Sequence, residues 1–360
     1  NVLRPDSRVA QLCAAMQREM DALVMCLHPD WAGQPDRMSP SMDVTVWKQP
    51  LYRSAWSMRR WLKQHRVGVV WAYNIPPLAH ATMAMLGSGQ RLIYNFVGAD
   101  IQSNRELDYG FRRTRFRDQL FRLLMQRPHR LVCMSPIIAD LAQDAGIDSS
   151  RLVTIPNMFD LAADFPSATG DEVQELRNHL ELDDERVILT VARHAVIKRI
   201  DQLIWAFAQV RKRHPDAVLL VVGKGELLSA NRAIVDEVGL GGAVRFIEQV
   251  PRYELRVYYA SADVSCNVSD QDAFCNPVVE AISQGTPVVV GPNVGAGRYV
   301  TDEPFCRIAD PDRPETIAEA IDGTLAEDVK HHYGERARQR ARDFDTSRVM
   351  PQWRALFEEM

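Results

Sequence analysis

The chain has 360 residues, with 43 basic side chains against 47 acidic ones and a formal net charge of −4. Apolar residues make up 46% and charged residues 25%, which excludes an intrinsically disordered chain. The even charge balance argues against a surface that grips nucleic acid throughout. At about 150 residues per domain, the length implies two domains, each able to bury its own core. No apolar run approaches the roughly 20 residues that span a bilayer, and the first residues do not read as a secretion signal. Six cysteines (Cys13, Cys26, Cys133, Cys266, Cys275, Cys306) are scattered without a CxxC pair. They point to a reduced, cytoplasmic protein with neither a zinc site nor a disulfide framework.

Short β-branched runs alternate with longer amphipathic stretches, the pattern of βα units around parallel sheets. Asp6–Met20 reads as a helix with Val9, Leu12, Cys13 and Met16 on one face. The strand expected before it is missing from the sequence. Strands are then expected at Ala22–Leu27, Asp43–Trp47, Val67–Tyr73, Arg91–Phe96, Arg130–Met134 and Arg151–Ile155. Asp160–Asp171, with Pro166, Ser167, Thr169 and Gly170, reads as a linker. Beyond it strands are expected at Val187–Val191, Ala217–Val222, Val244–Ile247, Ala262–Val268 and Pro287–Gly291. His331–Met360 is charged and helical, with Phe344, Val349, Trp353, Leu356 and Phe357 available for packing. The expected architecture is α/β: a doubly wound domain over 1–160, a second over 161–338, and a terminal helix over 339–360 returning to the first. Such sheets bind ligands beyond the carboxyl ends of their strands, so two facing domains imply a cleft.

Asp272-Ala-Phe-Cys-Asn-Pro-Val-Val-Glu280 follows an expected strand. Asn276 suits an N-cap, Pro277 a first helical position and Gly285 a helix stop. The amides of Val278 and Val279, with the helix dipole, then form an anion site, and Glu280 one turn in can accept from a ribose diol. Asp272 lies near any group attached to the bound phosphate. Arg193 and Lys198 both follow strand Val187–Val191. Two cations beside a helix amino terminus neutralise a diphosphate and stabilise it as a leaving group. Gly223-Lys-Gly225 also suggests a dinucleotide fingerprint, but its third glycine would fall at Leu228. His194 is given no catalytic role.

These segments resemble the retaining glycosyltransferases of the GT-B fold, specifically family 4. The family's G-R-x4-K-G appears as Ala192-Arg193 through Lys198-Arg199, and its E-x-F-G-x4-E as Asp272-Ala-Phe274-Cys275 through Glu280. Its G-x-G is Gly223-Lys-Gly225, its V-x-F-x-G-x-V is Val244 through Val250, and its I-P-N is Ile155-Pro-Asn157. The resemblance implies two Rossmann-like domains facing across a cleft. It implies that Arg193 and Lys198 hold a diphosphate and that Asp272 contacts the donor sugar. Glu280 would hold the ribose. Cys275, Asn276, Val278, Val279 and Gly223 would line the donor site, and Val250 and Pro251 would meet the base. Arg4, Asp6 and Asp100 stand on the acceptor side. No metal or cofactor is implied: the co-substrate is a UDP- or GDP-sugar, and the acceptor a glycan, a lipid-linked molecule or a small metabolite of bacterial type. Retention would proceed by front-side attack. Asp272 stands where the family has Glu, Cys275 and Arg199 where it has Gly, and Val97 where it has a histidine. A sugar-nucleotide epimerase of the same fold and a degenerate nucleotide-binding protein remain as alternatives.

Arg105–Arg130 carries eight arginines interleaved with Phe111, Phe116, Leu120, Phe121, Leu123 and Leu124. Such a helix either lies on an anionic membrane surface, at the inner face of the membrane, or buries its apolar face in the core.

Overall fold

The computed structural model describes residues 25–26, 43–44, 51–64, 66–104 and 107–360. The chain divides into two compact units. The first runs to Met134 and adds Ile138–Met158 and Val349–Met360; the second comprises Ser135–Ile137 and Phe159–Arg348. The expected helix Asp6–Met20 lies outside the described residues, as do Arg4 and Asp6.

In the first unit β1 (Met25–Cys26) pairs in parallel with β2 (Asp43–Val44). A separate parallel sheet takes β3 (Val69–Tyr73), β4 (Arg91–Asn95), β5 (Arg130–Cys133) and β6 (Leu152–Thr154) in sequence order. The terminal helix Thr346–Glu359 sets Val349, Met350, Trp353 and Leu356 against Ile93, Val132, Ile155 and Met158. These four recur at helical spacing, so one stripe of the helix is apolar and buried. Trp353 meets Trp71 edge-on at 5.4 Å.

The second unit carries β7 (Arg186–Val191), β8 (Ala217–Val222), β9 (Val244–Ile247), β10 (Val264–Asn267), β11 (Val288–Val290) and β12 (Cys306–Ile308). They form one parallel sheet in the order β12-β11-β10-β7-β8-β9. Every residue of β8 is buried, as a central parallel strand covered on both faces requires. Helix Ile200–Arg213 presents Ile200, Leu203, Ile204, Phe207 and Val210 to the core, where Ile317 and Ile321 of helix Pro314–Ala326 join them. The strand order reverses between β7 and β10, which flank the topological switch point of a doubly wound sheet.

Two expectations change. Strand β12 was not anticipated, because Cys306-Arg-Ile is a short edge strand with Ile308 exposed, and it lacks an apolar run. Asp160–Asp171 is not a plain linker: it holds the short helix Leu161–Asp164 and the start of helix Gly170–His179. Thr169 and Glu172 close a reciprocal capping box, with Glu172 N–H to Thr169 Oγ1 at 3.3 Å and Thr169 N–H to Glu172 Oε2 at 2.9 Å. Gln284 fastens the same stretch, accepting from Ala168 N–H at 3.0 Å and donating to Phe165 C=O at 3.2 Å.

Candidate active site

The carboxyl ends of β7, β8, β10 and β11 meet in interlocked loops. Past β7, Ala192 N–H bonds Val222 C=O at 3.0 Å and His194 N–H bonds Lys224 C=O at 3.0 Å. A Cβ at Gly223 would collide with the Ala192 backbone, and one at Gly225 with the His194 backbone, so both glycines allow main chain to lie directly on main chain. Gly223 thus has a packing reason to be glycine. His194 is fully buried, takes Asn231 Nδ2 on its Nδ1 at 2.8 Å, and leaves Nε2 without a partner. Burial, with Arg232 nearby, holds its pKa below the usual histidine value. With His194 turned inward, the alternation of an extended segment turns Arg193 outward. Its side chain is 63% exposed, 4.0 Å from Glu226.

Lys198 ends the 3₁₀ turn Val196–Lys198, and Arg199 follows in the left-handed region at φ 51°. Ile197 C=O accepts from Asp270 N–H at 2.9 Å, joining the loops that leave β7 and β10. That bond brings Asp272 to Lys198, whose ammonium pairs with the Asp272 Oδ2. Asp272 is itself clamped: its N–H bonds Asn293 C=O at 3.0 Å, and its C=O accepts from Gly295 N–H at 2.9 Å. Its Oδ1 takes Phe274 N–H at 3.2 Å. Phe274 anchors the loop in an aromatic cluster with Phe344 at 5.8 Å, Phe159 at 6.3 Å and Tyr299 at 6.4 Å.

The helix after Asp272 spans Asn276–Ser283, and its cap is Cys275 rather than Asn276. Cys275 sits at φ 69°, a left-handed conformation that turns the chain into the helix. Its thiol is buried, and burial beside Asp272 pushes its pKa well above the usual value. Asn276 and Pro277 are half-buried, and Val278 and Val279 are fully buried. The Val278 amide is not open to an anion as the sequence suggested: it bonds Cys275 C=O at 3.1 Å, because the first turn is tight.

Glu280 is 5% exposed and is held from two sides. The Tyr259 hydroxyl donates to its Oε2 at 3.1 Å, and Arg252 approaches its Oε1 at 3.5 Å. Tyr259 is fully buried, so burial, Glu280 and their hydrogen bond raise its hydroxyl well above the ordinary value. Tyr259 and Arg252 were not anticipated, since a tyrosine and an arginine at these spacings carry no motif. Val250 is half-buried and Pro251 exposed, immediately before the 3₁₀ turn Arg252–Glu254.

In the first unit Asp100 does not present its carboxylate to an acceptor. It is 2% exposed and accepts from Tyr94 Oη, from Gly98 N–H at 2.9 Å, and from Val97 and Ile101 N–H at 3.1 Å each. A buried carboxylate must collect donors, and Asp100 finds them in its own loop. Burial raises its pKa, and that of Tyr94 further.

A family profile described as Glycosyl transferases group 1 matches residues 172–341, and one described as Glycosyl transferase 4-like domain matches residues 5–158. The chain is 27% identical over 177 residues to the alpha-monoglucosyldiacylglycerol synthase of Streptococcus pneumoniae, covering 49% of this chain and 40% of that protein. It is 29% identical over 164 residues to the GDP-mannose-dependent alpha-(1-6)-phosphatidylinositol monomannoside mannosyltransferase of Mycolicibacterium smegmatis, covering 44% and 43%. These alignments thus span about two-fifths of each relative. Among solved structures, Anabaena Alr3699/HepE in complex with UDP and glucose superposes with a TM-score of 0.82 at 17% identity, covering 99% of this chain and 97% of that one. With two parallel α/β units, a GT-B likeness over nearly its whole length and both profiles matched, the chain belongs to the group 1 glycosyl transferases of the GT-B fold.

Proposed function

We propose that this protein transfers a sugar, with retention, from a UDP- or GDP-linked donor to a hydroxyl of a glycan, lipid-linked or small-molecule acceptor. The observation that carries the reading is the Lys198–Asp272 pair at the switch point, with Arg193 exposed on the same strand end. Arg193 and Lys198 take the charge of the diphosphate, a role an ion fills elsewhere, so turnover needs no added metal. Once the diphosphate takes Lys198, the Asp272 carboxylate is released to accept from the sugar's hydroxyls. Glu280, oriented by Tyr259 and Arg252, accepts from the ribose hydroxyls. Asn276 and Val279 stand at the helix amino end beside the phosphate, and Val250 and Pro251 beside the base. Attack comes from the face the diphosphate leaves, and the departing phosphate takes the acceptor's proton.

The names of the glycolipid-forming relatives make a lipid-linked acceptor the first class to test. Helix Arg115–Met125 suits work at the inner face of a membrane, with Phe116 74% and Leu123 62% exposed beside Arg115 and Arg122. Part of the expected pattern has structural duties instead: Phe121 and Leu124 are buried, and Asp118 holds Arg112 at 2.7 Å and Arg122 at 2.8 Å.

The test is a thermal-shift panel of UDP, GDP, dTDP and ADP on the wild type and Arg193→Ala. One nucleotide should stabilise the wild type by roughly 2.7 kcal/mol at 100 times its dissociation constant, and the variant far less. Donor turnover in EDTA, with the product anomer read by NMR, then checks metal independence and retention. If no nucleotide shifts the wild type, the donor-site reading fails; a nucleotide that binds without any donor turnover leaves the degenerate nucleotide-binding reading.

A further inference from the structure

The first unit holds a cavity of about 440 Å³ at the amino edge of its sheet, the edge away from the strand ends where such sheets usually bind ligands. Arg91 opens β4, Arg130 opens β5 and Arg151 directly precedes β6, so three adjacent parallel strands each have an arginine at or just before their first residue. Arg127 and His129 line the same cavity from the turn before β5, and Glu359, near the end of the terminal helix, is the one acid among the lining residues.

The arginines differ in how they are held. Arg151 is fixed by Met125 C=O at 2.6 Å and by Pro128 C=O, and two carbonyls leave its positive charge unneutralised. Arg130 donates to Ser150 C=O at 3.3 Å and pairs with Glu359. Among the described residues, the guanidinium groups of Arg91 and Arg127 meet no acid in a salt bridge. Four guanidinium groups against one carboxylate side chain, that of Glu359, make the lining side chains net positive. His129 registers this: burial, then Arg91 and Arg151, lower its pKa. Its Nδ1 accepts from Leu92 N–H at 3.1 Å, so Nε2 carries the ring proton and is a donor, the polarity a phosphate oxygen accepts. Guanidinium forks at fixed spacing match phosphate oxygens, and the volume accommodates more than one phosphate group.

We propose that this cavity is a binding site for a phosphate-bearing anion, held by Arg91, Arg127 and Arg151, which displaces Glu359 from Arg130. The site lies wholly in the first unit and is independent of the donor reading above. Its ligand is either a soluble phosphorylated molecule or the phosphate of a lipid headgroup.

The test follows the His129 imidazole by NMR in the whole chain, its resonance assigned by its loss in His129→Gln. Titration with inorganic pyrophosphate should raise the His129 pKa by about half a unit or more, because an anion offsets the neighbouring cations. The shift should vanish in Arg91→Ala/Arg127→Ala, both surface side chains, and weaken as salt is raised. Glu359→Gln should tighten binding two- to fivefold by removing the competing carboxylate, about the worth of one exposed ion pair. A second arm sediments the protein with phosphatidic acid vesicles. Pelleting of the wild type but not the double variant assigns the site to a lipid headgroup, and a pyrophosphate response without pelleting assigns it to a soluble ligand. A His129 pKa unmoved by either probe, or a shift that persists in the double variant, overturns the proposal.

Discussion

Lys198 and Asp272 are 74 residues apart in sequence, yet they form an ion pair where the second sheet reverses its strand order. Each side chain is at most one-fifth exposed, so the pair is sheltered while remaining reachable by a ligand. Three backbone clamps, at Asp270, Asp272 and Gly295, set the geometry before any donor arrives. A site organised in advance loses little to rearrangement when charge develops in the transition state.

Removing one member of this pair should separate chemistry from folding. Lys198→Ala is expected to lower donor turnover by about 100-fold or more. Its cost in stability should be only about 1 kcal/mol, since the pair is not fully buried. Initial rates with the donor, alongside urea unfolding, check both. A double-mutant cycle with Asp272→Asn then isolates the pairwise energy from the loss of either charge.

Cys275 and Arg199 stand at two of the positions where the resembled family motifs have glycine, and both are left-handed, at φ 69° and φ 51°. The glycines are therefore explained by backbone conformation, which costs an ordinary residue about 1–2 kcal/mol. Cys275→Gly should leave stability within about 1 kcal/mol of the parent, relief of strain offsetting the lost burial. Cys275→Val should destabilise by about 2 kcal/mol or more, because a β-branched residue is poorly accommodated there. Chemical denaturation distinguishes the two. Because its pKa is raised, the native Cys275 thiol should also resist alkylation until the protein unfolds.

Tyr259→Phe removes one oxygen and keeps the ring in place. Glu280 then loses a buried donor, with an expected cost of about 1–3 kcal/mol in stability. If Glu280 meets the ribose, nucleotide affinity should fall severalfold while the rate at saturating donor changes less. Calorimetric titration with the nucleotide, set against the kinetics, reads this out.

Glu172 provides a pH signature. Hydrogen bonds from Arg256 and from the Thr169 backbone lower its pKa to about 2. A carboxylate with a depressed folded pKa stabilises the fold above its unfolded value and loses that contribution as pH falls through the folded one. The contribution should therefore be complete at neutral pH and should fade between about 4.5 and 2. Melting temperatures measured across that window should decline less steeply for Glu172→Gln than for the parent.

Much of the second unit was legible in local sequence. Strands β7 to β11 lie where β-branched runs stand between polar turns, because a doubly covered parallel strand tolerates little else. The helix after Asp272 was marked by Pro277 and Gly285. The capping box at Thr169 and Glu172 was also readable, as T-x-x-E, but Pro166 and the small residues around it suggested a linker. Edge strand β12 had too few apolar residues to stand out.

The sequence by itself determined strands β7 to β11 and the helix after Asp272, and that Arg193, Lys198, Asp272 and Glu280 follow strands or open helices. Those properties depend on a residue and its near neighbours in the chain. The tertiary structure alone decided that Lys198 reaches Asp272, that Tyr259 and Arg252 hold Glu280, and that Asp100 turns inward to Tyr94 and its own loop amides. It also decided that arginines opening β4 and β5 and preceding β6 converge on one cavity. Each of these depends on which strands lie side by side, and that order is set by burial across the whole sheet rather than by any local pattern.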